Sequence, residues 1–220
     1  MQEPILRIDL GFVNAYLLHA GDGYILIDTG IGEVWTQLES ELLKRGCLPE
    51  RLKLVILTHG DADHTGNALR LQQKYGINIA MHSGDIDLVS TGKPQKRHSN
   101  SLIERFTIWL GSKITRTFDL FTPDVLLEDE QSLAPYGIDA QIIHTPGHTP
   151  GSVCILTANG ELICGDTFVN RRKPSSAVII ENDQALKASL EKLGELKIRK
   201  ILPGHGKPFT GEKLSKRSIP

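Results

Sequence analysis

The chain has 220 residues, with 25 Lys and Arg against 26 Asp and Glu, 40% apolar and 23% charged. That length suits one domain, or two small ones, with a core that needs no staples, and the ordinary composition excludes wholesale disorder. The near-zero net charge excludes a binder that works by displacing phosphate counterions, no apolar run approaches the ~18 residues of a membrane span, and MQEPILRIDLGF lacks the apolar stretch of a secretory signal.

Residues 5–10, 13–19 and 24–28 read as strands. A loop at Thr29-Gly30-Ile31-Gly32 leads into a helix over 33–45, which spaces Val34, Leu38 and Leu42 along one face and stops at Gly46. The unbroken apolar run 52–58 predicts a strand buried on both faces. A helix over 65–75, ended by Gly76, and a strand over 77–82 follow. The segment 83–122 lacks strand alternation; it holds a basic stretch, GKPQKRHSN, and a helical pattern through Leu102, Ile103, Phe106, Trp109 and Leu110. It reads as a helical insertion or lid whose apolar face packs on the core, roofs a substrate or joins two copies in a homodimer. Strands return at 124–128, 138–144, 152–157 and 161–165. A helix over 183–195, capped by Asn182 or Asp183, and a strand over 199–206 that runs into a loop complete the pattern, with 211–220 as a solvated tail. Strand-rich blocks followed by helices on both sides of the insertion predict an α/β, four-layer αββα sandwich of two similar halves, one domain spanning 1–210. Cys47, Cys154 and Cys164 form no CxxC pair and read as small buried residues of a reducing compartment, so a cytoplasmic location is expected.

The chemistry concentrates where strands run into loops. After the buried run comes T-H-G-D-A-D-H-T-G-N, which puts His59, Asp61, Asp63 and His64 within six residues. Gly60 and Ala62 are small enough for a tight loop that turns these side chains inward, so the cluster points to metal binding. His148 in the Pro/Gly-shaped loop T-P-G-H-T-P-G-S, Asp166 in G-D-T-F and His205 in P-G-H-G each follow a predicted strand. Each by itself reads as a turn or capping residue; together they favour one shared metal site.

These motifs, with I-D-T-G at 27–30, resemble in order those of the metallo-β-lactamase-fold hydrolases over nearly the whole chain, and TPGHTPGS and GDTF look most like the glyoxalase II branch. The resemblance implies a binuclear site. His59 and His148 would bind one metal, Asp63, His64 and His205 the other, and Asp166 would bridge them with a hydroxide between. Asp63 would also hold that hydroxide and shuttle its proton. Asp28 would be structural, and His144 would support the site or simply pack. The chain departs from the family's HxHxDH motif at one position, where Asp61 stands for the second histidine. As a ligand, Asp61 would bring the carboxylates of the set to three, raise the pKa of bound water and move preference from zinc toward manganese or iron. The expected cofactor is therefore two divalent ions, zinc first. The expected reaction is hydrolysis of a small ester, thioester or lactone, with a phosphodiesterase or nuclease of the same fold and a di-iron redox protein as alternatives. No nucleic-acid partner is expected. Arg171, Arg172 and Lys173 are candidates to hold an anionic substrate group, the stretch Lys93, Lys96, Arg97 and His98 is a weaker one, and His82 is a candidate to line the pocket.

Overall fold

The computed structural model describes residues 5–93, 96–99 and 119–213. Strands β1 (Ile5–Asp9), β2 (Asn14–Ala20), β3 (Gly23–Ile27), β4 (Leu52–Ile56), β5 (Ile79–His82) and β6 (Val125–Leu127) pair in that order in one sheet. The first three form an antiparallel meander, and β3 to β6 run parallel. The second sheet has the order β13-β12-β9-β8-β7, built from β7 (Ala140–His144), β8 (Val153–Thr157), β9 (Glu161–Ile163), β12 (Lys200–Leu202) and β13 (Phe209–Thr210). A two-stranded ribbon, β10 (Phe168–Val169) with β11 (Ser175–Ser176), stands beside it.

Side chains that alternate along the strands build the layers. In the first sheet Leu17, Leu26 and Val55 face helices α1 (Trp35–Lys44) and α3 (Ala68–Tyr75), packing with Leu38, Leu42 and Leu71. Their neighbours Leu18, Ile25, Ile27, Leu54 and Ile56 turn the other way and meet Ile142, Val153, Ile155, Ile163 and Leu202 of the second sheet. On the far side of that sheet Ile143, Cys154, Leu162 and Ile201 pack under Leu186, Leu190 and Leu193 of α5 (Asp183–Gly194). Three apolar seams between four layers give the αββα order; each fully buried Leu or Ile contributes about 1.5–3 kcal/mol against exposure. Asn182 caps α5, its side chain accepting from the Ala185 amide at 3.0 Å. Among the described residues six strands stand in one sheet and five in the other. Among the described residues no helix is long and apolar enough to cross a membrane.

Three parts of the chain fold differently from the pattern reading. The helix expected over 65–75 is α3, which starts at Ala68 and is ended by Gly76 as expected, and a separate short helix, α2 (Ala62–Thr65), precedes it. Asn67 separates the two because its amide is committed to the Thr29 and Ile31 carbonyls, at 2.8 and 2.7 Å. The start of the supposed insertion belongs to the domain body: α4 (Ile86–Thr91) buries Leu88 and Val89, and Phe121 returns to the same core as Val89. The apolar pattern at 102–110 lies outside the described residues, as does 214–220 of the tail. Finally, β13 returns as a hairpin partner of β12 where a loop was expected.

Candidate metal centre

The ligand-type residues leave the C-terminal ends of four strands. β4 delivers Thr58, His59, Asp61, Asp63 and His64; β7 leads to the loop of His148; β9 leads to Asp166; β12 leads to His205. Backbone bonds pin these loops together across the two sheets. The Val153 amide donates to the Thr58 carbonyl at 2.8 Å, the Gly204 amide to Gly165 at 2.7 Å, and the Asn14 amide to Gly204 at 2.7 Å. The approach is close enough that a Cβ on Gly204 would sit 2.5 Å from His64 Cε1 and 2.9 Å from Asp166 Oδ1, so only glycine fits.

Each of the four histidines has its Nδ1 engaged, which aims Nε2 inward. His64 Nδ1 donates to Asp28 Oδ2 at 2.8 Å, His148 Nδ1 to the Ile179 carbonyl at 2.7 Å, and His205 Nδ1 to the Phe12 carbonyl at 2.8 Å. His59 Nδ1 meets Thr58 Oγ1 at 3.0 Å, and that hydroxyl donates onward to Asp28 Oδ2 at 2.8 Å. Asp28 thus orients two rings at once. It also accepts from the Thr58 amide at 2.8 Å, and it holds a left-handed backbone (φ 60°), unusual for a residue with a side chain.

The inward atoms fall into two groups. His148 Nε2 and His59 Nε2 lie 3.2 and 3.5 Å from Asp61 Oδ2. His205 Nε2 lies 3.3 Å from Asp63 Oδ2, with His64 beside them. Asp166 spans the two: Oδ1 lies 3.4 Å from both His64 Nε2 and His205 Nε2, and Oδ2 lies 3.9 Å from His148 Nε2. Ligand atoms about 2.0–2.1 Å from a tetrahedral ion sit about 3.3 Å apart, longer than a good hydrogen bond. The observed spacings follow the ion rather than the hydrogen bond. His59 Nε2, His64 Nε2, His205 Nε2 and Asp166 Oδ1 are also buried without a hydrogen-bond partner, a costly arrangement unless a cation supplies the partner. The residues therefore fit two divalent ions.

Charge reinforces that fit. Burial opposes ionisation of Asp166, yet His205 and His64 beside it hold its carboxyl well below the usual range. Burial likewise opposes protonation of His205, yet Asp166 and Asp63 raise it to about 9. The field that holds a proton there would hold a dication instead, and ligation by neutral imidazole releases that proton.

The remaining candidates separate. His82 stacks on His144, with ring centroids 3.8 Å apart and 15° between planes. His144 Nε2 donates to the Pro150 carbonyl at 2.9 Å, so this pair braces the His148 loop. Arg171 lies over the Phe12 ring at 5.1 Å, and Phe12 packs edge-on to His205 at 4.8 Å between centroids. Arg172 and Lys173 are exposed on the same loop. Arg97 is not a free surface cation: its Nη1 lies 2.6 Å from Asp61 Oδ2. Sequence reasoning missed Asp85. It is fully buried and accepts from the Gly60 amide (2.7 Å), the Thr149 hydroxyl (2.7 Å) and the Gly151 amide (2.8 Å), which ties the His59 loop to the His148 loop. A lone acid after a strand gave no spacing signal for that role.

The sequence profile described as "Metallo-beta-lactamase superfamily" matches residues 8–205. "Probable metallo-hydrolase YflN" of Bacillus subtilis is 27% identical over 212 residues, which cover 86% of this chain and 77% of that protein. "Hydroxyacylglutathione hydrolase GloC" of Haemophilus influenzae is 30% identical over 103 residues, 46% of this chain and 42% of that protein. A solved structure of TTHA1623, in a di-iron-bound form, superimposes with a TM-score of 0.68 at 25% identity and covers 94% of each chain.

Proposed function

The chain belongs to the metallo-β-lactamase superfamily and is a metallo-hydrolase, and from that premise we propose that it uses a binuclear metal centre to hydrolyse a small ester, thioester or lactone. One observation carries the reading: four imidazole Nε2 atoms, each fixed through its Nδ1, converge with Asp61 and Asp63 on the two oxygens of Asp166. We assign His59, Asp61 and His148 to one ion, Asp63, His64 and His205 to the other, and Asp166 to both. The donor set of imidazole and carboxylate suits zinc, with iron and manganese next. When bound, such ions supply Lewis acidity toward a carbonyl oxygen and a water nucleophile ionised near neutral pH.

The chain's own residues do the rest. Asp63, partly open to solvent at 18% exposure, orients the attacking water and takes its proton. Asp28 keeps His64 and the Thr58–His59 pair in the tautomer that presents Nε2. Phe12, 58% exposed beside His205, and Arg171 over its ring form a rim that suits a substrate with an apolar part and an anionic group. Arg172 and Lys173 extend the same positive edge, while His82 serves the loop rather than the substrate. The relative named a hydroxyacylglutathione hydrolase favours the thioester among the three substrate classes.

The test is a panel of acyl thioesters, lactones, aryl esters and phosphodiesters, offered to the zinc-, manganese- and iron-loaded protein. Turnover of carbonyl substrates, with little or none of phosphodiesters, is the expected result. Preferential phosphodiester cleavage would replace this reading with that of a nuclease, and oxygen consumption by the iron-loaded form without ester hydrolysis would replace it with a redox protein.

A further inference from the structure

We propose that Arg97 and Asp61 act as one electroneutral unit in the place of a neutral ligand, with Arg97 the positioning residue that sets how tightly the His59–Asp61–His148 half of the centre holds its ion. The inference rests on the assignment of that half to a metal and says what governs it.

Asp61 Oδ2 is the oxygen that faces His148 Nε2 and His59 Nε2, and it is the same oxygen that Arg97 Nη1 approaches at 2.6 Å. The two side chains are only 14% and 19% exposed, so the pair is largely withdrawn from water. There an uncompensated charge is strongly disfavoured, and the Asp61 carboxylate finds its cation in Arg97. Arg97 is also placed by the backbone that places a ligand. His98 exchanges two hydrogen bonds of 2.8 Å with Ile180, and the preceding residue, Ile179, accepts from His148 Nδ1. One short run thus orients the imidazole on one side of Asp61 and the guanidinium on the other.

The charge follows directly. A histidine at position 61 would add no charge to the ligand set. Asp61 adds one negative charge and Arg97 cancels it beside the same oxygen. On this proposal the extra carboxylate does not leave this half more anionic than a histidine would, so the bound water would not have the raised pKa that Asp61 alone would give it. Arg97 also orients the carboxylate, leaving Oδ2 turned toward the two imidazoles.

Affinity for the ion in this half should therefore track the net charge of residues 61 and 97. Asp61→His removes the negative charge that faces the Arg97 guanidinium beside the ion and is expected to weaken the ion by about tenfold to a hundredfold. Asp61→His combined with Arg97→Gln restores neutrality and should return the affinity to near that of the unaltered chain. Arg97→Gln alone leaves a full carboxylate charge and should tighten the ion, whereas Arg97→Lys should change it little. The readouts are zinc stoichiometry by elemental mass spectrometry and competition against a chromophoric chelator, with circular dichroism to check folding. If Asp61→His fails to fold, the comparison of Arg97→Lys with Arg97→Gln carries the test, because a merely structural arginine would predict loosening in Arg97→Gln. Equal affinity in Asp61→His and the unaltered chain would overturn the proposal, as would a double variant no better than Asp61→His. One ion in the unaltered chain and two in Arg97→Gln would also overturn it, showing that the guanidinium blocks the site. No bound ion in any form would remove the metal assignment itself.

Discussion

Asp166→Ala is expected to abolish hydrolysis, by about a thousandfold or more, and to strip ions from both halves of the centre while the chain stays folded. Among the described residues, Asp166 is the side chain whose two oxygens face different halves, Oδ1 toward His64 and His205 and Oδ2 toward His148. Its loss removes an anion from each half and leaves the imidazoles to repel one another once protonated. Lewis acidity and nucleophile activation together are worth several kcal/mol, and about 1.4 kcal/mol is a factor of ten in rate. The fold should survive because the loop is held by main-chain bonds, Gly204 N to Gly165 O at 2.7 Å and Thr167 N to Cys164 O at 3.0 Å, not by the carboxylate. Elemental analysis, turnover and a far-UV spectrum of the variant check this together. Two retained ions with full activity would show that Asp166 bridges nothing.

Asp85→Ala should act on stability first and on the metal second. The carboxylate is fully buried and satisfies two amides and a hydroxyl from the loops on either side of it. Alanine leaves the two amides without a partner in a dry cavity, each at about 1–3 kcal/mol, and the Thr149 hydroxyl with Ser152 Oγ, at 2.8 Å, as its remaining neighbour. The sum, about 3–5 kcal/mol allowing for relaxation, is a large share of the 5–15 kcal/mol that holds an ordinary domain together. For a chain of this size that lowers the melting temperature by about ten degrees or more. A larger side chain cannot fill the gap from the opposite side, because a Cβ on Gly151 would lie 2.7 Å from the backbone nitrogen of residue 85, which the variant keeps. Since Asp85 joins the His59 loop to the His148 loop, the ion between them should be held less tightly than its neighbour in the same variant. A melting curve and a zinc titration give the two readouts; an unchanged melting temperature would mean that water replaces the carboxylate.

How much of this was legible in the sequence depends on the range of the interaction. Strand alternation and the continuous run 52–58 foretold the sheets because each strand's burial is written in its own residues, with period two or with none. The convergence of His59, Asp61, Asp63, His64, His148, Asp166 and His205 was legible because each follows a strand, with glycine or proline shaping its loop. Partnerships across the chain were not legible. The break at Asn67 depends on carbonyls of Thr29 and Ile31 in another loop. The place of Asp85 depends on donors about the chain from position 60 to 151, and no spacing announces such a clamp. Arg97 stood in view within the stretch Lys93, Lys96, Arg97 and His98, a weaker candidate to hold an anionic substrate group, with no sign of its tie to position 61. A buried carboxylate at position 61 nevertheless required a cation somewhere, so the need for a partner was readable even though its identity was not.

The central claim is that seven side chains from four strand ends hold two ions. Elemental mass spectrometry on protein purified with neither added metal nor chelator tests it most directly. The account predicts about two ions per chain, zinc before iron or manganese. One ion or none would contradict it, and the chemistry would then have to be rebuilt around a single centre or around none.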